Sequence, residues 1–384
     1  MHAELTNSTI SESTQKKASQ IIESCVHCGF CLATCPTYQI LGDELDSPRG
    51  RIYLIKSALE QNQFTQKSLS HMDRCLTCRS CETTCPSGVE YGQLLEIGRE
   101  IMESKRGKFQ ALYRYLIRKA LLTPIIFKPI GYFYRHSKIS SKPIKPETIQ
   151  SRVLLMGGCV QPSLAPNINH SIKNILAKLN IEVLESSQGQ CCGALDQHLA
   201  ASSEAMKKVK RNIDNWIARL DSGVEVIISS ASGCGVMIKD YPKLFKSSDP
   251  YFKKALLVSS KTKDIAEFLS NKDLSGLHLS ELNITYHEPC TMQHGQQLGG
   301  LVESILSQFG YIKKPVKDSH ICCGSAGAYS IFETKISNQL RDNKIDNLNA
   351  SKPNMIVTSN IGCLMHLQKG SSIPVKHWVE LLDV

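Results

Sequence analysis

Beyond about residue 150, short apolar runs alternate with stretches whose apolar residues recur at helical spacing. The run RVLLM predicts a buried strand, the stretch NINHSIKNILAKLN predicts a helix, and IEV predicts the next strand. A helix near residues 200–220 and the run VEVIISS follow, and the same order returns from NITYH onward. Strands that alternate with helices in this way are typical of parallel α/β folds.

The first hundred residues carry helical stripes instead of strand-like runs. Ser47 followed by Pro48 has the features of a helix start, with a capping side chain and proline at the first helical position. Ile52, Ile55 and Leu59 then form one apolar stripe. This region is therefore predicted to be helical.

Sixteen cysteines are what the composition adds to this pattern. Eight of them form two sets with the spacing C-x2-C-x2-C-x3-C-P, and each member of the second set follows its counterpart by 50 residues. The sets are Cys25, Cys28, Cys31 and Cys35, and Cys75, Cys78, Cys81 and Cys85. This is the spacing of bacterial two-cluster ferredoxins, in which three close cysteines hold one cluster and the fourth reaches the other.

The ferredoxin rule predicts crossed ligand sets for two 4Fe-4S clusters. Cluster A would take Cys25, Cys28, Cys31 and Cys85, and cluster B would take Cys75, Cys78, Cys81 and Cys35. The alternative is a pair of zinc sites, but zinc usually takes its four ligands as two separated C-x2-C pairs. Arg49 and Arg51 lie between the sets, where they either favour the reduced form of a cluster or are solvated charges at a helix start.

The other eight cysteines belong to a second repeat. Each copy has a cysteine after an apolar strand, a CCG motif 32 residues later, and a final cysteine after another apolar run. The copies are Cys159, Cys191, Cys192 and Cys234, and Cys290, Cys322, Cys323 and Cys363. An offset of 131 residues for the first three members, and 129 for the last, indicates a duplicated α/β unit. Each set is a candidate metal or redox site; the alternative is buried structural thiols, against which the register of eight cysteines across the repeat argues.

The net charge of +10 is concentrated in one segment. Residues 104–146 contain eleven Lys or Arg and no Asp or Glu, and Leu112, Tyr115, Leu116, Lys119 and Leu122 predict an amphipathic helix that ends near Pro124. Such a segment suits an anionic membrane surface or a partner subunit, or it packs on a neighbouring domain with its basic face in water. No apolar run is long enough to span a membrane and no secretory leader is evident, so we expect a cytoplasmic protein whose clustered cysteines bind metal.

These patterns predict an α+β multidomain fold: a helical two-cluster ferredoxin-like domain followed by two duplicated α/β cysteine-rich lobes. The expected boundaries are 1–104 for the ferredoxin-type domain, 105–150 for a basic connector, 151–275 for the first CCG repeat and 276–384 for the second.

Several of these motifs together resemble the iron–sulfur subunits of bacterial glycolate oxidase (glycolate dehydrogenase) at near full length. They include CVHCGFCLATCPTYQILGDELDSPRGRIYLIK, RCLTCRSCETTCPSGVEYG, CTMQHGQ, HICCGSAGAYS and NIGCLMHL. The resemblance implies two 4Fe-4S clusters and an electron-transfer role beside flavin-containing partner subunits that oxidise glycolate to glyoxylate. It further implies a quinone-type acceptor at the inner face of the membrane, with peripheral contact. The chain alone is not expected to act on glycolate.

The CCG repeats depart from the pattern of the heterodisulfide reductase relatives, whose repeats end in C-x2-C and hold a noncubane cluster. Ala231 and Asn360 stand where that first cysteine is expected, so a further iron–sulfur or zinc site remains an alternative to free thiols. His27, His287, His294 and His320 lie near cysteines in the sequence and are more often packing residues than ligands or proton donors.

Three rival functions follow from the same motifs. The chain can serve a related lactate or glycerol-3-phosphate dehydrogenase, or its CCG repeats can act as a thiol or disulfide reductase, although the lost C-x2-C argues against the latter. An iron–sulfur sensor that binds nucleic acid through residues 105–146 lacks a recognisable reading motif, so we expect no nucleic-acid partner. No G-x-G-x-x-G follows a strand, and electrons must therefore arrive from another chain.

Overall fold

The computed structural model describes residues 10–61, 64–123, 143–185, 191–277 and 281–383. Two compact units form. The first contains Met1–Arg118, Leu195–Ser202 and Asp318–Lys344, and the second contains Lys119–Ala194, Ser203–Lys317 and Ile345–Val384.

Helices and strands follow one another along the whole chain. The helices are α1 (Glu12–Ser24), α2 (Pro36–Leu41), α3 (Pro48–Gln61), α4 (Gln66–Asp73), α5 (Ser80–Thr83), α6 (Tyr91–Glu103), α7 (Lys108–Leu122), α8 (Gln161–Leu164), α9 (Pro166–Lys178), α10 (Ala194–His198), α11 (Ser202–Asp221), α12 (Ser232–Lys239), α13 (Pro250–Lys261), α14 (Ile265–Leu269), α15 (Leu301–Gln308), α16 (Tyr329–Phe332), α17 (Thr334–Asn349) and α18 (Ile361–Gln368). The strands are β1 (Ser151–Met156), β2 (Ile181–Glu185), β3 (Val226–Ser229), β4 (Thr262–Asp264), β5 (Asn283–His287), β6 (Ile312–Lys313), β7 (Met355–Thr358) and β8 (Val375–His377).

The core of the first unit lies between α1, α3 and α6. The stripe predicted on α3 faces this core, because Ile52, Ile55 and Leu59 are buried. Ser47 caps the helix as predicted, since its hydroxyl oxygen accepts a hydrogen bond from Gly50 N at 3.0 Å. Helices α3 and α6 approach so closely that a Cβ atom on Gly98 would lie 2.6 Å from Ile55. The absence of a side chain at this point therefore sets the distance between the two helices.

Two parallel four-stranded sheets form the framework of the second unit. Their strand orders are β2-β1-β3-β4 and β6-β5-β7-β8, so the second sheet repeats the topology of the first. The last four residues of β1 are all buried, as expected of a strand covered on both faces. This confirms the predicted duplication of a parallel α/β unit behind a helical N-terminal region.

The sequence pattern does not predict the fourth strand of each sheet, β4 or β8. Each has three residues and ends in a side chain that caps the following turn, Asp264 in the first lobe and His377 in the second. Each of these caps also bonds to the other lobe. Gln296 Nε2 donates to Asp264 Oδ2 at 3.3 Å, and His377 Nε2 lies 3.1 Å from the carbonyl oxygen of Ser230. Equivalent positions of the repeat thus join the two lobes.

The basic segment begins with a helix, as its pattern predicts. Helix α7 exposes Phe109 (91%), Leu112 (56%) and Leu116 (56%) on one face. Residues 124–142, which include the aromatic-rich half of this segment, lie outside the described residues. Within the described ranges, no helix combines the length and the apolar character needed to cross a membrane.

Candidate functional site

The two N-terminal cysteine loops have the same backbone conformation. His27 and Gly29 in the first loop have φ values of 57° and 85°, and Thr77 and Arg79 in the second have 55° and 62°. Left-handed backbone is uncommon for residues other than glycine, yet it recurs at positions that are 50 residues apart. Alternating conformations of this kind turn successive N–H groups toward one side, where they can bind an anionic group.

The first loop borders a cavity that is open to solvent on one side. Four of its lining residues are Cys25, Cys28, Cys31 and Cys85, the set expected for cluster A. The first three come from the loop after α1, and Cys85 comes from the second motif. Arg49 and Cys81, which belongs to the other set, also line this cavity.

The second loop borders a cavity of its own. Its lining includes Cys35, Cys75, Cys78 and Cys81, the set expected for cluster B. Cys35 immediately precedes α2, and Pro36 at the first helical position starts that helix away from the loop. The fourth cysteine of each motif therefore borders the cavity of the other motif.

The residues around both cavities suit iron–sulfur clusters. Each cavity offers four sulfur ligands and left-handed turns whose N–H groups favour a cluster's negative charge. Burial raises the pKa of the Cys31 thiol to about 11 and raises that of Cys81 well above its usual range. Thiols in this state become thiolates only beside a strong positive charge, which bound metal ions supply.

A buried ion-pair network borders the second cavity. Arg51 is 1% exposed, and its Nη2 lies 3.3 Å from Asp46 Oδ1. Arg51 also donates from Nε to the carbonyl oxygen of His71 at 2.7 Å and from Nη2 to Thr37 Oγ1 at 3.1 Å. Arg74 contacts the other carboxylate oxygen of Asp46 at 2.9 Å. Two guanidinium groups contact one carboxylate here, and the Arg51 charge lies near Cys35 and Cys75.

Tyr91 and Arg99, both on α6, fix the second loop and were missed by the sequence analysis. The buried Tyr91 hydroxyl donates to Cys75 Sγ at 3.6 Å. Arg99 Nη2 donates to the carbonyl oxygens of Cys75 (2.7 Å) and Met72 (3.0 Å), and its Nη1 donates to Thr77 Oγ1 at 3.0 Å. No spacing rule connects these residues with the cysteines, because α6 meets the loop only through tertiary packing.

The two cavities differ in their exposure to solvent. Cys28 is exposed, and its neighbours Val26 and Phe30 are 68% and 60% exposed. Cys35, Cys75 and Cys81 are instead buried. A redox partner therefore has closer access to the first cavity.

The first CCG lobe arranges its cysteines as two thiol pairs. The hydrogen bond with Cys191, followed by burial, raises the pKa of the Cys159 thiol, and a hydrogen bond with Cys234 does the same for Cys192. Cys234 lies in the first turn of α12, a short way beyond the end of β3. Among the described residues, no three of these four sulfur atoms lie within 4.8 Å of one another. A further metal site in this lobe stays a prediction.

The predicted set of the second lobe is divided between the two compact units. Cys322 and Cys323 belong to the first unit and are buried, whereas Cys290 and Cys363 belong to the second. Asn360, which stands where the C-x2-C pattern has its first cysteine, donates from Nδ2 to Cys363 Sγ at 3.3 Å. The amide thus contacts a thiol from the position of the missing ligand, and a four-cysteine site in this lobe also stays a prediction.

Two of the four histidines noted in the sequence, His287 and His27, lie in a sheet and in a cysteine loop, respectively. His287 is buried, with Nδ1 3.0 Å from Thr358 Oγ1 on the neighbouring strand, and its packing role stays a prediction. His27 lies in the first cysteine loop, where burial and the Arg49 charge lower its pKa.

Protein-family models match the helical N-terminal region and both copies of the duplicated α/β unit. A family described as "4Fe-4S dicluster domain" matches residues 21–89, which include both N-terminal cysteine sets. A family described as "Cysteine-rich domain" matches twice, at residues 153–239 and 284–368. The two matches correspond to the two lobes of the duplicated unit.

Three similar proteins align with 60–100% of this chain. The chain is 42% identical to the glycolate oxidase iron-sulfur subunit of Escherichia coli (strain K12), in an alignment that covers 100% of this chain and 98% of that protein. It is 28% identical to the probable glycolate oxidase iron-sulfur subunit of Bacillus subtilis (strain 168), over 90% of this chain and 88% of that protein. Lactate utilization protein A of Bacillus licheniformis is 26% identical over 60% of this chain and 99% of its own length.

Proposed function

Because the chain belongs to the family of glycolate oxidase iron–sulfur subunits, we propose that it is the electron-carrying subunit of a flavin-dependent glycolate dehydrogenase complex. In this role it receives electrons released when partner subunits oxidise glycolate to glyoxylate. It then delivers them to a quinone-type acceptor. The chain is not catalytic on glycolate by itself.

One observation carries this proposal: two cavities in one helical unit, each lined by four cysteines, with the fourth cysteine exchanged between the motifs. Cys25, Cys28, Cys31 and Cys85 would hold one 4Fe-4S cluster, and Cys35, Cys75, Cys78 and Cys81 would hold the other. Such clusters supply one-electron transfer. The chain's own residues supply the ligands, the N–H groups of the loops and the positive charge of Arg51 and Arg74.

The partners follow from what the chain lacks. Electron transfer to a cluster needs a donor that takes two electrons from a 2-hydroxy acid and releases them singly, and a flavin does this. No dinucleotide-binding motif follows a strand in the sequence, so we assign the flavin to partner subunits. The exposed surroundings of Cys28 support contact with such a partner.

Coverage favours glycolate over lactate as the substrate of the complex. The alignment with the glycolate oxidase subunit spans both proteins almost completely, whereas the alignment with lactate utilization protein A leaves 40% of this chain unmatched. A lactate or glycerol-3-phosphate dehydrogenase complex is therefore the second choice.

A peripheral position at the inner face of the cell membrane completes the proposal. Helix α7 supports it, since Phe109, Leu112 and Leu116 are exposed along one face of a strongly basic segment. Helices that combine an apolar face with basic residues bind anionic membrane surfaces.

The test uses the complete complex purified without oxygen. We expect about eight irons and eight sulfides per chain, as two 4Fe-4S clusters require. Cys28→Ser and Cys78→Ser should abolish reduction of the acceptor while glycolate still bleaches the flavin. Thr83→Ala is the matched control, because its hydroxyl donates to the carbonyl oxygen of Ser80 in its own helix and Thr83 is not in either cysteine set.

Two results would contradict the proposal. Undiminished acceptor turnover in both cysteine variants would remove the chain from the electron path. Flavin bleaching by lactate or glycerol 3-phosphate, but not by glycolate, would move the chain to a related dehydrogenase.

A further inference from the structure

We infer that the Tyr91 hydroxyl selectively raises the reduction potential of the cluster bound by Cys35, Cys75, Cys78 and Cys81. This inference rests on the proposed function, since it requires both clusters to be bound. It assigns a potential-setting role to a residue that is not itself a ligand.

The position of Tyr91 makes the effect selective. Its side chain, 4% exposed at the start of α6, lines both cysteine cavities. Its hydroxyl nevertheless points to one of them, where it donates to Cys75 Sγ at 3.6 Å. The ring of Tyr91 thus lines both cavities, whereas its hydroxyl forms a hydrogen bond with a ligand of the second cluster alone.

The direction follows from the charge on the cluster. Reduction adds one negative charge, part of which resides on the ligand sulfur atoms. A donor that points at a ligand sulfur stabilises the reduced form more than the oxidised form and raises the potential. Burial strengthens this effect, because little water competes or screens around Tyr91.

The nearby Thr37 hydroxyl cannot serve the same purpose. Thr37 Oγ1 lies 3.3 Å from Cys35 Sγ, but it donates its single proton to the carbonyl oxygen of Asp46 at 2.8 Å. Arg51 Nη2 donates to the same oxygen atom. The Thr37 hydroxyl proton is therefore already engaged by Asp46, whereas the Tyr91 hydroxyl donates to a ligand sulfur of this set.

The test is a redox titration of the full chain with both clusters bound, followed by EPR. The wild type should show two one-electron steps. Tyr91→Phe keeps the ring and removes the donor, so one step should move to lower potential while the other stays. A tenfold change in the equilibrium between oxidised and reduced cluster, which is the expected size for one hydrogen bond, corresponds to about 59 mV. Tyr53→Phe is the matched control, since Tyr53 is 57% exposed on α3.

The outcomes separate this inference from the proposed function. If two clusters are bound but neither step moves, or if both move together as a change in shared packing would cause, the inference is wrong. A wild type without iron and sulfide would overturn the proposed function as well.

A second measurement covers the case in which Tyr91→Phe does not retain both clusters. Wild-type chain labelled with 3-fluorotyrosine carries a more acidic phenol, which is a stronger hydrogen-bond donor. One step should then move to higher potential, and the shift should persist when Tyr53→Phe is labelled in the same way. No upward shift would overturn the inference.

Discussion

Replacing Asp264 with asparagine should stabilise the protein at pH 8 and leave its stability nearly unchanged below pH 4. Asp264 is 1% exposed where the two CCG lobes meet. Burial raises the pKa of its carboxyl group from 3.8 to about 6, although hydrogen bonds from Ala266 N and Gln296 oppose this shift. Lys239 lowers the pKa and Glu267 raises it, both by smaller amounts.

The magnitude follows from this shift. A rise of roughly two units corresponds to about 3 kcal/mol, at about 1.4 kcal/mol per unit. Because the folded pKa exceeds the unfolded pKa, the folded state binds more protons between pH 3.8 and pH 6. Stability therefore falls as the pH rises through this window, and the full cost applies above pH 6. Asparagine carries no charge and is an equally good helix cap.

Unfolding by urea, compared between variant and wild type at pH 4, 6 and 8, measures this effect. Asp273→Asn is the matched control, because Asp273 lies on the surface of the same lobe and its pKa is lowered by hydrogen bonds from Ser275 instead of raised. The reasoning is refuted if Asp264→Asn is as stable as the wild type at pH 8, or if its advantage is the same at all three pH values.

Three further predictions concern single contacts. Gly98→Ala should destabilise the first unit by about 1–2 kcal/mol in thermal unfolding, because the clash with Ile55 outweighs the gain in helix propensity of up to about 1 kcal/mol; a higher Tm would contradict this. Burial lowers the pKa of His377 to about 4, so the wild type should lose about 3 kcal/mol of stability as the pH falls from 6.5 to 4. His377→Asn should abolish this loss; urea unfolding that shows the same loss in the variant would contradict it. Arg99→Met should release iron to a chelator several-fold faster than wild type, because the loop at Cys75 loses the hydrogen bonds that Arg99 donates; equal release rates would show that Arg99 does not stabilise the loop.

Spacing alone groups the N-terminal cysteines into the two sets that line the two cavities, because ligand geometry constrains residues that are near in sequence. Apolar runs also predict the first three strands of each lobe, apart from the two-residue β6. Strands β4 and β8 were not, since three residues such as Thr-Lys-Asp show no usable alternation. Their place in the sheet is decided by pairing with β3 and β7.

The residues that shape the second cysteine loop cannot be predicted from sequence patterns for a related reason. Gly29 suggests a left-handed turn in the first loop, but Thr77 and Arg79 adopt the same conformation without any glycine. Tyr91 and Arg99 act through the packing of α6 against the loop, and this contact depends on the whole helical core. Sequence patterns thus predict the ligands, whereas tertiary packing selects their hydrogen-bond partners.

Asp264 and His377 occupy equivalent positions in the duplicated lobes but have opposite pH dependences. The cost of the buried carboxylate grows as the pH rises from 3.8 to 6, and the cost of the buried imidazole grows as the pH falls from 6.5 to 4. Both slopes are about 1.4 kcal/mol per pH unit, so the two contributions nearly cancel between pH 4 and pH 6. We therefore expect each single asparagine variant to show a pH slope in this window relative to wild type, with opposite signs, and the double variant to lack it. A slope in the double variant equal to that of either single variant would show that the two positions do not compensate.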